Sequence, residues 1–219
     1  MADKAPQERI RTITIRPVGL EGLLGLPTEA RGIVLFAHGS GSGRFSPRNN
    51  FVAQALREAG LATLLFDLLT ADEAQDRRNV FDISLLAQRL SIAAAWVRDD
   101  TETASLPIGY FGASTGAAAA LVSAAGDEGA VAAIVSRGGR PDLAGPALGS
   151  VKTPTLLIVG GDDVEVLALN RVALADLRCE KELAIVPGAT HLFEEPGTLE
   201  AVVEHTRDWF SDHFGEVGT

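Results

Sequence analysis

Pro107-Ile108-Gly109-Tyr110-Phe111-Gly112-Ala113-Ser114-Thr115-Gly116 is the stretch on which the fold of this chain turns. A short apolar run enters Gly-x-Ser-x-Gly, and Ala117 to Leu121 follow with strong helix formers, so Ser114 falls at a tight strand-to-helix turn. Glycine suits positions 112 and 116 because strand and helix approach too closely there for larger side chains. A serine so placed points its hydroxyl out at the carboxyl edge of a sheet. The start of the next helix offers backbone N–H groups and a positive dipole end to a developing oxyanion. The motif alone occurs by chance in many Gly/Ala/Ser-rich chains, and it is the flanking strand and helix that give it weight.

Outward from this turn the chain alternates buried-strand and helix patterns, the signature of an α/β domain with a mainly parallel sheet. Ile33 to Ala37, Ala62 to Phe66, Ile108 to Phe111, Val131 to Val135, Thr155 to Val159 and Leu183 to Val186 are continuous apolar runs, as fits strands covered on both faces. Ile10 to Arg16 and Leu20 to Leu26 suit an antiparallel hairpin at a sheet edge. Ser46 and Pro47 start a helix that Gly60 stops; Ile83, Leu86, Leu90, Ala93 and Val97 mark a second, and Val166 to Leu177 and Leu199 to Phe214 two more. Residues 1–9 are expected to be a flexible N-terminus and residues 10–216 one domain. The segment Ser136 to Lys152 is too short for a cap domain, which predicts an open site and short acyl groups.

Composition narrows the class. Hydrophobic residues make up 46% and charged residues 22%, enough to build a core and too few polar residues for wholesale disorder. The formal charge of −10 argues against nucleic-acid or anionic-membrane partners. One cysteine, Cys179, allows no internal disulfide, and Met1 to Glu8 lacks an apolar signal core, so a cytoplasmic protein is expected. No Cys/His cluster points to a metal, and no cofactor is expected. Gly39-Ser-Gly41-Ser-Gly43 lacks the spacing of a nucleotide cradle.

An activated serine needs a base within reach and an acid that orients the base. Pro154 to Val159 is a strand ending in Gly160-Gly161-Asp162-Asp163, so the acid is one of that aspartate pair, and the last strand leads through Gly188-Ala-Thr to His191. The order Ser, Asp, His is that of α/β-hydrolases rather than of the common serine proteases.

These segments, with His38-Gly39-Ser40-Gly41-Ser42-Gly43 and the loop Gly188-Ala-Thr-His191-Leu-Phe, resemble the dienelactone hydrolase-like group of α/β-hydrolases over essentially the whole length. The resemblance implies a central sheet of about eight strands flanked by helices without a large cap. It implies a catalytic set of Ser114, Asp163 and His191, the acid falling in a Gly-x-x-Asp-x-x-Val pattern met by Gly160, Asp163 and Val166. The oxyanion would be held by Thr115 and by Ser40 or Gly39. His38 is expected to brace that loop. The family's namesake enzymes use a cysteine nucleophile, where this chain has Ser114. The Arg- and Gly-rich pieces His38 to Asn50 and Ser136 to Leu143 also resemble hydrolase domains fused to phosphoribosyltransferases, which implies association with such a domain. The expected function is cleavage of an ester, thioester or lactone through an acyl-enzyme. Alternatives are acyl transfer by the same residues or a non-catalytic binding domain, and a homodimer is allowed.

Arg44, Arg48, Arg77, Arg78, Arg137 and Arg140 all fall in loops at the expected catalytic edge. Either they pair with carboxylates such as Asp67, Asp82 and Asp142, or Arg44, Arg48, Arg137 and Arg140 form an electropositive mouth for a small anionic substrate.

Overall fold

A computed structural model describes residues 8–127 and 129–215. The expected flexible N-terminus therefore lies largely outside the described residues, as does the expected end of the domain at 216. Eight strands form one sheet: β1 (Arg9–Ile15), β2 (Leu20–Leu26), β3 (Ile33–Ala37), β4 (Ala62–Phe66), β5 (Ile108–Ala113), β6 (Ala133–Arg137), β7 (Thr155–Gly160) and β8 (Lys181–Val186). Their spatial order is β1-β2-β4-β3-β5-β6-β7-β8. The opening hairpin runs antiparallel and β2 meets β4 antiparallel, while all pairings from β4 to β8 are parallel. β1 takes up Arg9, one residue ahead of the expected boundary, because Arg9 stays in register with Leu26.

The helices are α1 (Pro47–Glu58), α2 (Arg77–Val80), α3 (Ile83–Asp99), α4 (Thr115–Gly126), α5 (Val164–Asp176) and α6 (Thr198–His213). Ser46 Oγ caps α1 by accepting the Asn49 N–H, with Pro47 at the first helical position, and Asp82 caps α3 by accepting the Leu85 N–H at 3.0 Å. Alternate residues of the central strands feed two cores. Ile33, Leu35, Leu64 and Tyr110 pack with α3, α4 and α5, whereas Val34, Phe36, Phe111 and Val135 pack with α1 and α6. Covering on both faces explains the unbroken apolar runs. The edge strand β8 instead exposes Lys181, Glu182 and Ile185 and buries Ala184 and Val186.

Several segments differ from the sequence expectation: β8 begins at Lys181 rather than Leu183, α5 at Val164 rather than Val166, and Pro141–Ser150 winds into a 3-10 helix. β6 begins two residues later than Val131 and continues to Arg137, pairing Ser136 with Gly112 and Arg137 with Ala113. The connection from β4 to α3 folds into a 3-10 turn, Glu73–Gln75, followed by α2. Polar contacts hold that connection: Glu73 accepts the Thr70 N–H at 2.9 Å and pairs with Arg89, and the Asn79 side chain donates to the Glu73 carbonyl at 2.9 Å. Apolar periodicity carries no trace of the β6 extension or of this connection. Among the described residues no helix is long and apolar enough to cross a membrane.

Candidate active site

Ser114 sits between β5 and α4 at φ +50° and ψ −121°, a backbone conformation that a residue with a side chain seldom adopts. Its carbonyl is held by the Ala117 N–H at 3.1 Å and the Arg140 N–H at 3.0 Å, which fixes the strained turn from both sides. The turn also needs its glycines. A Cβ at Gly112 would lie 2.5 Å from the Ala117 Cα, and one at Gly116 would run into the Ala37 carbonyl. Ser114 is half-buried and its side chain does not cap α4.

Asp163 and His191 arrive from the two outer strands of the same edge. His191 Nδ1 lies 2.7 Å from Asp163 Oδ2, with the carboxylate 14% and the imidazole 40% exposed. An ionised carboxylate accepts only, so Nδ1 carries the proton and Nε2 is left with its lone pair free. Asp162 is exposed, and its backbone N–H donates to the Ala189 carbonyl at 3.0 Å. The β6 end spans the gap between nucleophile and base: Arg140 holds Ser114, and a Cβ at Gly138 would lie 3.0 Å from the His191 carbonyl oxygen.

The loop after β3 closes the third side. Gly39 is pressed against the serine, a Cβ there meeting Ser114 Cβ at 2.9 Å and the Ala113 carbonyl at 3.2 Å. The Ser40 N–H donates to Thr115 Oγ1 at 3.1 Å, tying this loop to the first residue of α4. His38 braces the loop from behind. The Leu68 N–H donates to His38 Nε2 at 3.0 Å, so the ring proton is on Nδ1 and donates to the Gly39 carbonyl at 2.9 Å.

The profile of the dienelactone hydrolase family matches residues 20–214. The chain belongs to the dienelactone hydrolase family. A crystal structure of the dienelactone hydrolase from Anabaena variabilis superimposes with a TM-score of 0.91 at 54% identity, covering 96% of this chain and 99% of that one. Est1E from Butyrivibrio proteoclasticus has a TM-score of 0.77 at 15% identity, over 93% of this chain and 98% of its own, a likeness of fold. A Mycobacterium tuberculosis (strain ATCC 25618 / H37Rv) protein named "Putative phosphoribosyl transferase" is 58% identical over 212 residues, which is 97% of this chain and 48% of the relative. The chain thus spans about half the length of the curated relatives it matches.

Within this dienelactone hydrolase-family site the arginines separate into two kinds. Arg44 bridges Asp67 and Glu21, Arg48 pairs with Glu194 at 3.0 Å, Arg78 with Asp76 at 2.6 Å and Arg140 with Asp142 at 2.8 Å. Arg137 has no carboxylate among its described partners. It is 7% exposed, lies with its guanidinium 5.8 Å from the Phe193 ring centre, and donates from Nη2 to Asn49 Oδ1 at 3.2 Å while its buried Nε has no partner. Burial, helped by the nearby charge of Arg48, pushes its pKa down to about 10, so it remains a cation at neutral pH.

Sequence reasoning missed the clamps on the histidine loop. Glu195 accepts both the Thr190 N–H at 3.1 Å and its hydroxyl at 2.6 Å, bonds that hold its carboxyl below the usual range. Phe193, at φ +54°, buries its ring beneath the loop. The Thr-x-x-x-x-Glu spacing was the available signal, and nothing in the sequence marks Phe193 as adopting a left-handed backbone.

Burial also holds the His38 imidazole below its ordinary value, against the opposing pull of the Gly39 carbonyl and Asp67. The folded state therefore keeps His38 neutral where the unfolded chain takes up a proton, below about pH 6.5. Its share of stability is complete above that pH and is lost as pH falls toward the folded pKa. Denaturant midpoints at about pH 7.5 and about pH 5.5 test this. The wild type should lose more stability between them than His38→Gln, and equal losses would contradict it.

Proposed function

We propose that this family member is a serine hydrolase that cleaves an ester, thioester or lactone through an acyl-enzyme. The observation that carries the proposal is the Asp163–His191 hydrogen bond, which leaves Nε2 as a free base at the edge where the strained turn presents Ser114. Ser114 Oγ attacks the acyl carbon as its proton passes to His191 Nε2. Asp163 orients the imidazole and stabilises the imidazolium. The tetrahedral oxyanion is held by the backbone N–H of Thr115 and by one from the loop after β3, either Gly39 or Ser40, the latter only by exchanging its bond to Thr115 Oγ1 for the oxyanion. On its collapse the bond to the leaving group breaks, and the leaving atom takes the proton from His191. Water then attacks the acyl-serine with His191 again as base, releasing the acid and restoring the serine; an acceptor other than water would make the same intermediate a transferase step. Among the described residues Ser114 Oγ makes no hydrogen bond to His191, and the proton transfer requires that contact to close when substrate binds.

A burst of p-nitrophenol equal to the enzyme concentration, followed by slower turnover of p-nitrophenyl acetate, tests the acyl-enzyme directly. Its presence in the wild type and loss in Ser114→Ala is the expected result. Steady turnover that survives Ser114→Ala would overturn the proposal.

A second feature supports an anionic group on the substrate. Arg137 keeps a cationic charge that no described carboxylate offsets, and it lies beside the Phe193 ring of the histidine loop, whereas Arg44, Arg48 and Arg140 are taken up by acidic partners. Arg137→Ala should therefore raise KM for esters with an anionic leaving group at least tenfold more than for neutral ones. Equal effects on both would remove Arg137 from substrate recognition. Association with a phosphoribosyltransferase is supported by the name of a relative of which this chain spans about half.

A further inference from the structure

A cavity of about 490 Å3 opens beside the loop after β3. Gly39, Ser40 and Thr115, the segments that carry the proposed oxyanion donors, are among the residues that line it. Leu68, Leu69, Val80 and Leu86 supply apolar wall, and Ala71 and Ala74 form an exposed outer side. A volume of this size falls within the range of small-molecule pockets, roughly 300–1,000 Å3.

Charge decides what kind of group fits. The ionisable side chains lining the cavity, besides the neutral His38, are Arg44, Asp67 and Glu21. Arg44 bonds both carboxylates, and its backbone N–H also donates to Asp67 at 2.8 Å. One cation against two anions leaves no positive charge free, so a carboxylate or phosphate entering here would be repelled as well as desolvated. An uncharged apolar group would be stabilised by leaving water.

Position decides which half of the substrate it takes. None of the lining residues belongs to β6, β7, β8 or the loops that follow them, whereas His191 reaches the edge from β8. The leaving group must accept its proton from His191 and so departs on the β8 side. The acyl group stays on Ser114 and needs room on the β4 side, where the cavity lies. We propose that this cavity is the acyl pocket, and that the chain prefers esters of uncharged acyl groups longer than acetyl. The inference rests on the serine-hydrolase reading.

The test compares p-nitrophenyl acetate, p-nitrophenyl hexanoate and the mono-p-nitrophenyl ester of glutarate on the full chain, in the wild type and in Ala74→Trp and Ala71→Trp. Both variants alter the exposed wall and so should leave the core packed. In the wild type kcat/KM is expected to rise about three- to fourfold per added methylene, and hexanoate to exceed the charged glutarate ester at least tenfold. At least one tryptophan variant should cut the hexanoate-to-acetate ratio tenfold or more. A flat chain-length profile, a preference for the glutarate ester, or an unchanged ratio in both variants would overturn the acyl pocket alone. No turnover of any of the three, with no fluorophosphonate adduct at Ser114 in the folded wild type, would overturn the serine-hydrolase reading and the pocket with it.

Discussion

Ser114→Ala and His191→Ala are each expected to lower kcat by roughly 10⁶-fold, with the double variant no worse than either alone. The non-additivity is the informative part. Nucleophile and base act as one unit, so once either is gone the other has nothing to activate, and what remains comes from oxyanion binding and substrate positioning. Asp163→Asn should fall by about 10⁴-fold, because an amide at this position no longer enforces the tautomer that leaves Nε2 free. Asp162→Asn should stay close to wild type, since that side chain is exposed and only its backbone is engaged, with Ala189. Initial rates on a neutral p-nitrophenyl ester, with circular dichroism to verify folding, check all five proteins. A large loss in Asp162→Asn with little in Asp163→Asn would contradict the assignment of the acid.

The second large effect concerns a backbone that side-chain deletion cannot reach. Gly39→Val is expected to cut kcat by at least about 10²–10³-fold in a protein that still folds. A Cβ at this position already comes within 2.9 Å of Ser114 Cβ, and the branches of valine would extend toward Ser114 Oγ, 3.7 Å from that Cβ. Either the nucleophile or the loop carrying Ser40 must move. Because the Ser40 N–H is tied to Thr115 Oγ1, displacement of the loop would disturb both proposed oxyanion donors together. Full activity in a folded Gly39→Val protein would remove this loop from the account.

The parts of this structure legible in the sequence are those where apolar periodicity and backbone geometry act alone. Ile33–Ala37 and Ala62–Phe66 read as buried strands because helices cover both faces of the sheet. The turn at Ser114 was legible because only glycine fits at positions 112 and 116. His191 and the aspartate pair Asp162-Asp163 were nameable from strand ends and order, the choice of Asp163 came from the family pattern Gly-x-x-Asp-x-x-Val, and the structure brings Asp163 and His191 together. What the sequence did not reveal depends on contacts between polar side chains far apart along the chain. Ser136 and Arg137 end the apolar run of β6 early, although both are buried, because Arg137 finds Asn49 and the Phe193 ring. The wall of the cavity between β4 and α3 is held by Glu73, Thr70, Asn79 and Arg89, none of which shows a helical or strand period. The arginine cluster was visible as a cluster, but whether each guanidinium faced a carboxylate required the fold.

Labelling of the purified chain with a fluorophosphonate probe, followed by peptide mass analysis, reads whether His191 activates Ser114. It needs no knowledge of the substrate and reads the activation of a single hydroxyl. One adduct is expected, on Ser114, lost in Ser114→Ala and in His191→Ala. A folded wild-type protein that takes no adduct, or that is labelled equally well without His191, would contradict the activation of Ser114 by His191.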